Sequence, residues 1–281
     1  MGIEPSTRNP LGNPSYPGYT SSDGPNWVDY LTKAFNESLL KTYNFAYGGA
    51  TMDSTLVQPY LPGVPSVKQQ VQNEFLPTYG SRPCFAPWMP NNTLFAFFIG
   101  INDIGNSYHE SNETDTQTSI FHQYADLVES VYAIGARNFL FLNVPPVQLA
   151  PQTSIYGPAV QRQEKHAIID WNSRLNRLAA RLVDDHPDAT TFTFDTYALF
   201  SVVLRNPTHF PQTAQYKNTT AYCAAYMNGT PTETYFDSIC GIPVNEYFWL
   251  NALHPTYPMH NVLAQQVALL LNNAADEGWD M

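Results

Sequence analysis

Three short motifs in this sequence contain residues that could take part in catalysis. Gly100-Ile101-Asn102-Asp103 directly follows an apolar segment, so the Asn102 amide could donate a hydrogen bond to an oxyanion while Asp103 holds the loop. His254 precedes Pro255 and a predicted helix, where its imidazole could act as a general base. Gly48 follows another apolar segment, and a glycine there allows close approach of a backbone N–H to a ligand. Each motif alone is typical of a turn, but the three in this order indicate a site with a base and oxyanion donors.

The segments that would position these motifs alternate between strands and helices. Apolar runs of strand length predict strands at residues 43–47, 93–99, 138–144 and 191–195. Apolar residues spaced by three and four predict helices at residues 27–35, 121–134, 168–182 and 256–270. Gly135 is placed to end the second of these helices, and His186-Pro187 to end the third.

This alternation predicts an α/β fold with a parallel sheet that helices cover on both faces. The segment 93–99 is apolar on both faces, so we expect it to be a central strand. In such folds ligands bind at the carboxyl ends of the strands, where the motifs of Gly48 and Asn102 lie. Residues 1–25 are rich in Pro, Gly, Asn and Ser and predict a loop-rich start, and no linker divides the rest, so we predict a single domain over residues 1–281.

Composition restricts the partners and the compartment. The formal net charge of -11 disfavours nucleic acid and anionic membrane surfaces, and no apolar run is long enough to span a bilayer. Cys223 and Cys240 flank a turn-rich segment and could form a disulfide that leaves Cys84 free, although three reduced thiols are the alternative. Five glycosylation sequons agree with a secreted, extracellular glycoprotein, although Met1 is not followed by an apolar leader. The sequons are at Asn36, Asn91, Asn112, Asn218 and Asn228.

The three motifs resemble the conserved blocks of the GDSL/SGNH hydrolases, and further phrases resemble the fungal acetylesterases of carbohydrate esterase family 16. These phrases are residues 9–14, 24–27, 44–51 and 247–256, and the resemblance covers nearly the whole chain. It implies a three-layer, flavodoxin-like SGNH fold with a parallel sheet. It also implies that Gly48 and Asn102 are oxyanion donors and that His254 is the catalytic base.

Two departures from the family pattern bear on activity. The family's first block is a strand followed by Gly-Asp-Ser, which supplies the nucleophile, and no Gly-Asp-Ser occurs in this sequence. The resemblance therefore implies that the chain begins after that strand and is inactive as given. Asn251 stands where the family usually has the aspartate that orients the histidine. Either the Asn251 side chain orients His254, or a backbone carbonyl does so and His254 belongs to a dyad.

Two further serines lie close to the motifs in the sequence. Ser54 and Ser107 follow the glycine and Asn-Asp motifs but are expected to be hydrogen-bonding loop residues. The sequence has no metal-binding Cys/His spacing and no phosphate-binding glycine loop, so we predict no cofactor.

The resemblance implies a serine esterase that removes acetyl groups from sugars or hemicellulose-derived oligosaccharides, acting as a monomer. Aromatic residues of the predicted loops could stack on sugar rings or simply pack in the core. Examples are Tyr16, Tyr19, Trp88 and Tyr108. A non-catalytic carbohydrate-binding protein or pseudoenzyme, and a broader lipase-like esterase, are the alternatives.

Overall fold

The computed structural model of the protein describes residues 5–6 and 20–276, with side chains to residue 274. The phrase 9–14 and the aromatic residues Tyr16 and Tyr19 lie outside the described residues. Contacts within the chain divide it into two compact units. The first unit contains residues 20–44, Pro146–Gln161 and Tyr197–Asn273, and the second contains Phe45–Pro145 and Arg162–Thr196. The single domain over residues 1–281 stays a prediction.

The second unit is built on a parallel sheet of three strands in the order β1-β2-β3. The strands are β1 (Leu94–Phe98), β2 (Asn138–Leu142) and β3 (Thr190–Phe194). In register, Leu94 of β1 lies beside Asn138 of β2, and Asn138 lies beside Thr190 of β3. The parallel sheet and three of the four predicted strands are confirmed.

The helices of the described residues have the following bounds. They are α1 (Trp27–Lys33), α2 (Val67–Gln69), α3 (Leu76–Tyr79), α4 (Ile101–Ser107), α5 (Glu113–Ala133), α6 (Pro151–Ser154), α7 (Pro158–Asp185), α8 (Thr196–Arg205) and α9 (Tyr257–Asp276), with a π-helical segment (Gln70–Phe75) between α2 and α3. Short 3₁₀ turns cover Val147–Leu149, Pro207–His209, Pro211–Thr213 and Val244–Glu246.

Local sequence explains where several of these helices begin and end. Asn26 caps α1 by accepting the N–H groups of Val28 and Asp29, while the Asp29 carboxylate accepts the Asn26 N–H. Gly135 follows α5 with a φ of 106°, a conformation that glycine adopts without a steric penalty. α7 ends at Asp185, directly before His186-Pro187, as predicted.

Aromatic packing fixes α5 against the sheet. Phe97 and Phe141 stand on the same face of β1 and β2, with ring centroids 5.8 Å apart. Tyr124 of α5 packs against both rings, at 5.8 Å from Phe97 and 6.1 Å from Phe141. Trp171 of α7 contacts Phe121 of α5 at 4.9 Å, which joins the two long helices of this unit. Such aromatic pairs add to the free energy gained from burying apolar area.

Two strand predictions were wrong. Within the described residues β2, rather than β1, is the central strand, because β2 pairs on both sides whereas β1 pairs on one. The alternating Phe95 and Phe97 of β1 pack on one face, while Ala96 on the other face is exposed. Residues 43–47 are not a strand, because apolar composition alone forms no ladder without a paired neighbour.

A disulfide stabilises part of the first unit. Cys223 and Cys240 are bonded to each other and Cys84 is free and exposed, so the predicted pairing is confirmed. Both bonded cysteines pack against a buried cluster, and the Tyr247 hydroxyl donates a hydrogen bond to the Cys240 carbonyl at 2.6 Å. The cluster consists of Tyr226, Val244, Tyr247 and Leu250.

Replacing both Cys223 and Cys240 with serine should lower the free energy of unfolding by about 3 kcal/mol, because the bond closes a loop of some 17 residues. Urea unfolding followed by circular dichroism measures this change. Cys84→Ser is the matched control and should leave the midpoint unchanged, since Cys84 is exposed and unbonded. Equal midpoints for the double variant and the control would contradict the stabilising role of the disulfide.

Candidate active site

His254 lies at the tip of a tight loop in the first unit. Trp249 and Pro255 form an antiparallel bridge across the loop, and the Leu250 N–H donates to the His254 carbonyl at 2.8 Å. The Thr256 N–H closes the base by donating to the Phe248 carbonyl at 2.8 Å. These backbone bonds fix the main chain on both sides of His254.

Buried hydroxyl groups hold the base of this loop against the start of α9. Thr256 is fully buried, and its hydroxyl donates to the Tyr247 carbonyl at 2.7 Å. The Tyr216 hydroxyl lies 3.0 Å from the Thr256 hydroxyl and accepts the Met259 N–H at 3.0 Å. Gly24 also packs here, and a Cβ at this position would lie 2.8 Å from the Tyr257 side chain.

The side-chain oxygen of Asn251 orients His254. Asn251 Oδ1 accepts the backbone N–H groups of Leu253 and His254 at 3.0 and 2.9 Å. The same oxygen lies 3.0 Å from His254 Nδ1, a distance that suits donation from a protonated Nδ1. This tautomer leaves Nε2 unprotonated and able to accept a proton. The sequence left open whether the Asn251 side chain or a backbone carbonyl orients His254. This geometry matches orientation by the Asn251 side chain.

The protonation state of His254 suits a general base. Although its side chain reaches solvent, the protein packed around the ring lowers the pKa of His254 by desolvation. The neutral ring therefore predominates at neutral pH. Asn251 provides no negative charge to stabilise the imidazolium, which distinguishes this pair from an Asp-His pair.

Sequence reasoning missed a second histidine near this loop. His260 lies in the first turn of α9, its Nδ1 is buried without a hydrogen-bond partner, and burial together with nearby His254 lowers the pKa of His260 to about 4. His260 is therefore neutral at neutral pH. Its position on an apolar helix, next to Met259, is the signal in the sequence that it would be buried.

Asn102 follows β1 as predicted, but it lies in the first turn of α4 in the second unit rather than in a loop. The preceding Gly100 has a φ of 117°, and a Cβ there would lie 2.4 Å from the Trp171 ring, so only glycine fits. Asn102 Nδ2 donates to the Ala50 carbonyl at 2.9 Å, which ties α4 to the segment that follows Gly48. The second hydrogen of this amide is available for another acceptor.

Gly48 lies in an exposed turn that the Ala50 N–H closes by donating to the Tyr47 carbonyl at 3.2 Å. Its neighbour Gly49, which sequence reasoning did not single out, has the left-handed φ of 85°. Two consecutive glycines are the sequence signal for such a turn. The structure thus brings Gly48 and Asn102 together through Ala50, and brings Asn251 and His254 together in the other unit.

Asp103 is a buried carboxyl that holds the same segment. Its Oδ1 accepts the Met52 N–H at 2.9 Å, so Asp103 holds the segment that follows Gly48 and not, as the sequence had suggested, its own loop. Its Oδ2 is buried without a hydrogen-bond partner in the described residues. Burial raises the pKa of Asp103 to about 7, against the opposing effect of the Met52 hydrogen bond, and the charge of nearby Asp53 raises it further.

The remaining candidates from the sequence have structural roles. Ser107 is buried and donates from Oγ to the Asp103 carbonyl at 2.7 Å, so it bonds within α4 rather than in a loop. Ser54 lies half-buried in a turn. Trp88 packs against Phe75 and Phe95, and its ring nitrogen donates to the Tyr79 carbonyl. These contacts give Trp88 a packing role.

Comparison with known proteins identifies the family. The model of the GDSL-like lipase/acylhydrolase family matches residues 8–267. The chain belongs to the GDSL lipase/acylhydrolase family. Its SGNH-type α/β fold and its place among the carboxylic ester hydrolases follow from this membership.

Three proteins are similar to the chain along most of its length. It is 35% identical to an acetylesterase of Thermothelomyces thermophilus over 95% of the chain and 81% of that protein. It is 25% identical to the thermolabile hemolysin of Vibrio parahaemolyticus over 91% of the chain and 56% of that protein. A GDSL esterase/lipase of Arabidopsis thaliana is 23% identical over 78% of the chain and 65% of that protein.

Among residues 20–274, no three His, Cys, Asp or Glu side chains are grouped so that they could hold a metal ion. No helix in the described part of the chain has the length and apolar character needed to cross a bilayer. The absence of a cofactor stays a prediction.

The raised pKa of Asp103 predicts a pH-dependent stability. Between about pH 4 and pH 7 the folded state keeps the Asp103 proton and the unfolded state releases it, so stability should fall as pH rises. Asp103→Asn should flatten this slope in urea unfolding curves recorded across the window, because the amide does not ionise.

Asp53→Asn is the matched control for Asp103. Burial opposes ionisation of Asp53, but hydrogen bonds from Lys68 and Thr55 outweigh burial and lower its pKa. The stability that Asp53 contributes through its own ionisation is present above pH 4 and is lost at lower pH. Because the Asp53 charge also raises the pKa of Asp103, Asp53→Asn should end the fall in stability at a lower pH but keep it, whereas Asp103→Asn should remove it. An equal slope in Asp103→Asn and the intact protein would show that Asp103 is ionised when buried.

Substitutions of Asn251 should change the titration and tautomer of His254. Asn251→Asp should raise the pKa of His254, since a carboxylate 3.0 Å from Nδ1 favours the charged ring. Asn251→Ala should convert a predominantly Nδ1-protonated ring to a mixture of tautomers. Nitrogen-15 NMR of the histidine rings measures both effects, and the ring of His186, which is bonded to Glu129 in the other unit, is the internal control. An unchanged tautomer in Asn251→Ala would instead support orientation by a backbone carbonyl.

Proposed function

We propose that the protein acts on acetyl esters of sugars or hemicellulose-derived oligosaccharides. The observation that carries this proposal is the 35% identity to a fungal acetylesterase over 95% of the chain. The neutral, oriented imidazole of His254 supports it, because ester hydrolysis by a serine requires such a base.

Each site residue has a role in the proposed reaction. His254 Nε2 accepts the proton of a serine hydroxyl, whose oxygen then attacks the acetyl carbon. The backbone N–H of Gly48 and the free amide hydrogen of Asn102 donate to the resulting oxyanion. The His254 imidazolium gives its proton to the sugar oxygen as that group leaves, and water then releases acetate from the acylated serine by the same steps. Asn251 keeps the proton on Nδ1 throughout.

The nucleophile of this reaction is the part that the sequence does not supply. No Gly-Asp-Ser occurs among the 281 residues, and Ser107 is already bonded to a helix carbonyl. We therefore propose that the chain as given has little or no esterase activity, and that a strand carrying Gly-Asp-Ser ahead of residue 1 restores it.

We also propose that the protein is a secreted, monomeric glycoprotein of fungal type. The disulfide supports an oxidising compartment. Three of the five sequon asparagines are exposed, namely Asn91, Asn112 and Asn228, and the other two are half-buried. The acidic net charge supports a neutral sugar ligand over nucleic acid or a membrane surface.

A non-catalytic carbohydrate-binding protein is the second candidate, and the missing Gly-Asp-Ser favours it. A broader esterase is a third, because other similar proteins are named GDSL esterase/lipase. Hydrolysis of long-chain esters in preference to acetyl esters would select the third candidate.

Activity of three proteins towards a small aryl acetate tests the proposed function. The 281-residue chain should be inactive, the chain preceded by an apolar strand and Gly-Asp-Ser should be active, and the same extended chain with that serine changed to alanine should be inactive. In the extended chain, His254→Ala should lower turnover at least about 100-fold with the fold retained, because general acid-base catalysis is lost. Turnover by the original chain that a serine-directed reagent abolishes would show that another serine is the nucleophile. Inactivity of a folded extended chain would favour the binding protein.

A further inference from the structure

The hydroxyl of Thr256 is directed away from the helix that it precedes. Thr256 occupies the N-cap position of α9, where a threonine hydroxyl usually accepts the N–H of the second or third helical residue. Here the hydroxyl instead donates to the Tyr247 carbonyl at 2.7 Å, on the other side of the loop that carries His254. The first turn of α9 therefore needs another acceptor for its N–H groups.

The Tyr216 hydroxyl supplies that acceptor from an earlier segment of the same unit. It accepts the Met259 N–H at 3.0 Å, and this N–H also lies 3.1 Å from the Thr256 carbonyl. The Tyr257 N–H donates to the Ser22 carbonyl at 2.7 Å, and the next residue is a proline, which has no N–H. The start of α9 is thus bonded without the Thr256 hydroxyl, which leaves that hydroxyl for the loop.

The direction of the hydrogen bond between the two hydroxyls follows from the number of hydrogens. Each hydroxyl has one hydrogen to donate and can accept further bonds. The Thr256 hydrogen is used at the Tyr247 carbonyl, so the 3.0 Å contact between the Thr256 and Tyr216 oxygens needs the Tyr216 hydrogen. Tyr216 therefore donates to Thr256, which donates to Tyr247. Burial raises the pKa of Tyr216 above its usual range, so the phenol keeps this hydrogen at neutral pH.

This chain of hydroxyls holds the two arms of the loop, residues 247–250 and 254–256, in register. The Phe248 carbonyl accepts the Thr256 N–H, and the Leu250 N–H donates to the His254 carbonyl, so paired residues face each other up to the tip. The Thr256 hydroxyl adds a further bond between the arms, and both Thr256 and Tyr216 are buried. A slip of one arm would separate Asn251 Oδ1 from His254 Nδ1, because Asn251 lies in the tip between the arms.

We propose that Tyr216 is a positioning residue for the histidine base. Its hydroxyl caps α9 and, through Thr256, fixes the loop in the geometry that keeps the His254 proton on Nδ1. Because Tyr216 is buried, it acts through Thr256 rather than on a substrate. The inference rests on the proposed function of His254 as the base in ester hydrolysis.

Nitrogen-15 NMR of the His254 ring in the 281-residue chain tests this role without requiring catalysis. Tyr216→Phe removes only the hydroxyl, and the ratio of Nδ1-protonated to Nε2-protonated ring should fall about fivefold, the factor that one net hydrogen bond represents. Thr256→Val removes the middle hydroxyl and should lower the ratio by a similar factor, whereas Thr256→Ser should retain it. Combining Tyr216→Phe with Thr256→Val should lower the ratio little further, because both changes break the same chain of bonds.

Tyr226→Phe is the matched control. Tyr226 is a buried tyrosine of the same unit, and its hydroxyl likewise accepts one N–H, from Asp237 at 2.7 Å, and donates to one carbonyl, that of Ile242 at 3.0 Å. The two tyrosine variants should therefore lose similar stability in urea unfolding. Only Tyr216→Phe should change the tautomer ratio of His254.

An unchanged ratio in folded Tyr216→Phe, or an equal fall in Tyr226→Phe, would overturn the positioning role, since the hydroxyl would then contribute stability alone. A ring that is mainly Nε2-protonated in the intact chain would overturn it as well. If Tyr216→Phe does not fold, Thr256→Val and Thr256→Ser provide the same comparison. Hydrolysis of the small aryl acetate by the extended chain, with and without His254→Ala, decides the proposed function separately.

Discussion

The side-chain carbonyl of Asn251 is the group on which the candidate catalytic loop depends. One oxygen accepts from two backbone N–H groups and lies at hydrogen-bonding distance from His254 Nδ1. The two backbone bonds fix the loop, and the third fixes the tautomer of the histidine. An aspartate would make the same three contacts and add a charge. The substitution in this chain therefore preserves the geometry of a histidine base while it removes the electrostatic support for its protonated form.

The surrounding structure supports this loop with buried polar and apolar contacts. Thr256 and Tyr216 join its base to α9, and the cluster that includes Tyr247 and Leu250 packs against the Cys223–Cys240 disulfide. In the second unit, Asn102 and Asp103 perform a similar task, since their side chains bond to Ala50 and Met52. In both units, the polar side chains of the family motifs form hydrogen bonds mainly with backbone groups. These motifs therefore have a structural role besides any contact with substrate.

Membership of the GDSL family and the chemistry of one particular chain are separate conclusions. The family match covers residues 8–267, and the parallel sheet of the described residues agrees with the fold of that family. The family's catalytic power, however, depends on a serine whose motif does not occur in these 281 residues. The same oriented histidine would serve an esterase once a nucleophile is supplied and would be without a reaction partner in a binding protein.

The sequence by itself determined the long helices, the parallel sheet and the positions of His254, Asn102 and Gly48, because hydrophobic periodicity and turn residues are local signals. It also indicated the Cys223–Cys240 pair, with three reduced thiols as the alternative. Tertiary structure decided that β2 is the central strand and that residues 43–47 form no strand, since pairing depends on neighbours distant in sequence. It also placed the Asn251 side-chain oxygen against His254 Nδ1, buried Asp103 and the Nδ1 atom of His260, and shifted the pKa values of Asp103 and His260. Desolvation and hydrogen-bond geometry arise from atoms that packing brings together, and residue spacing does not specify them.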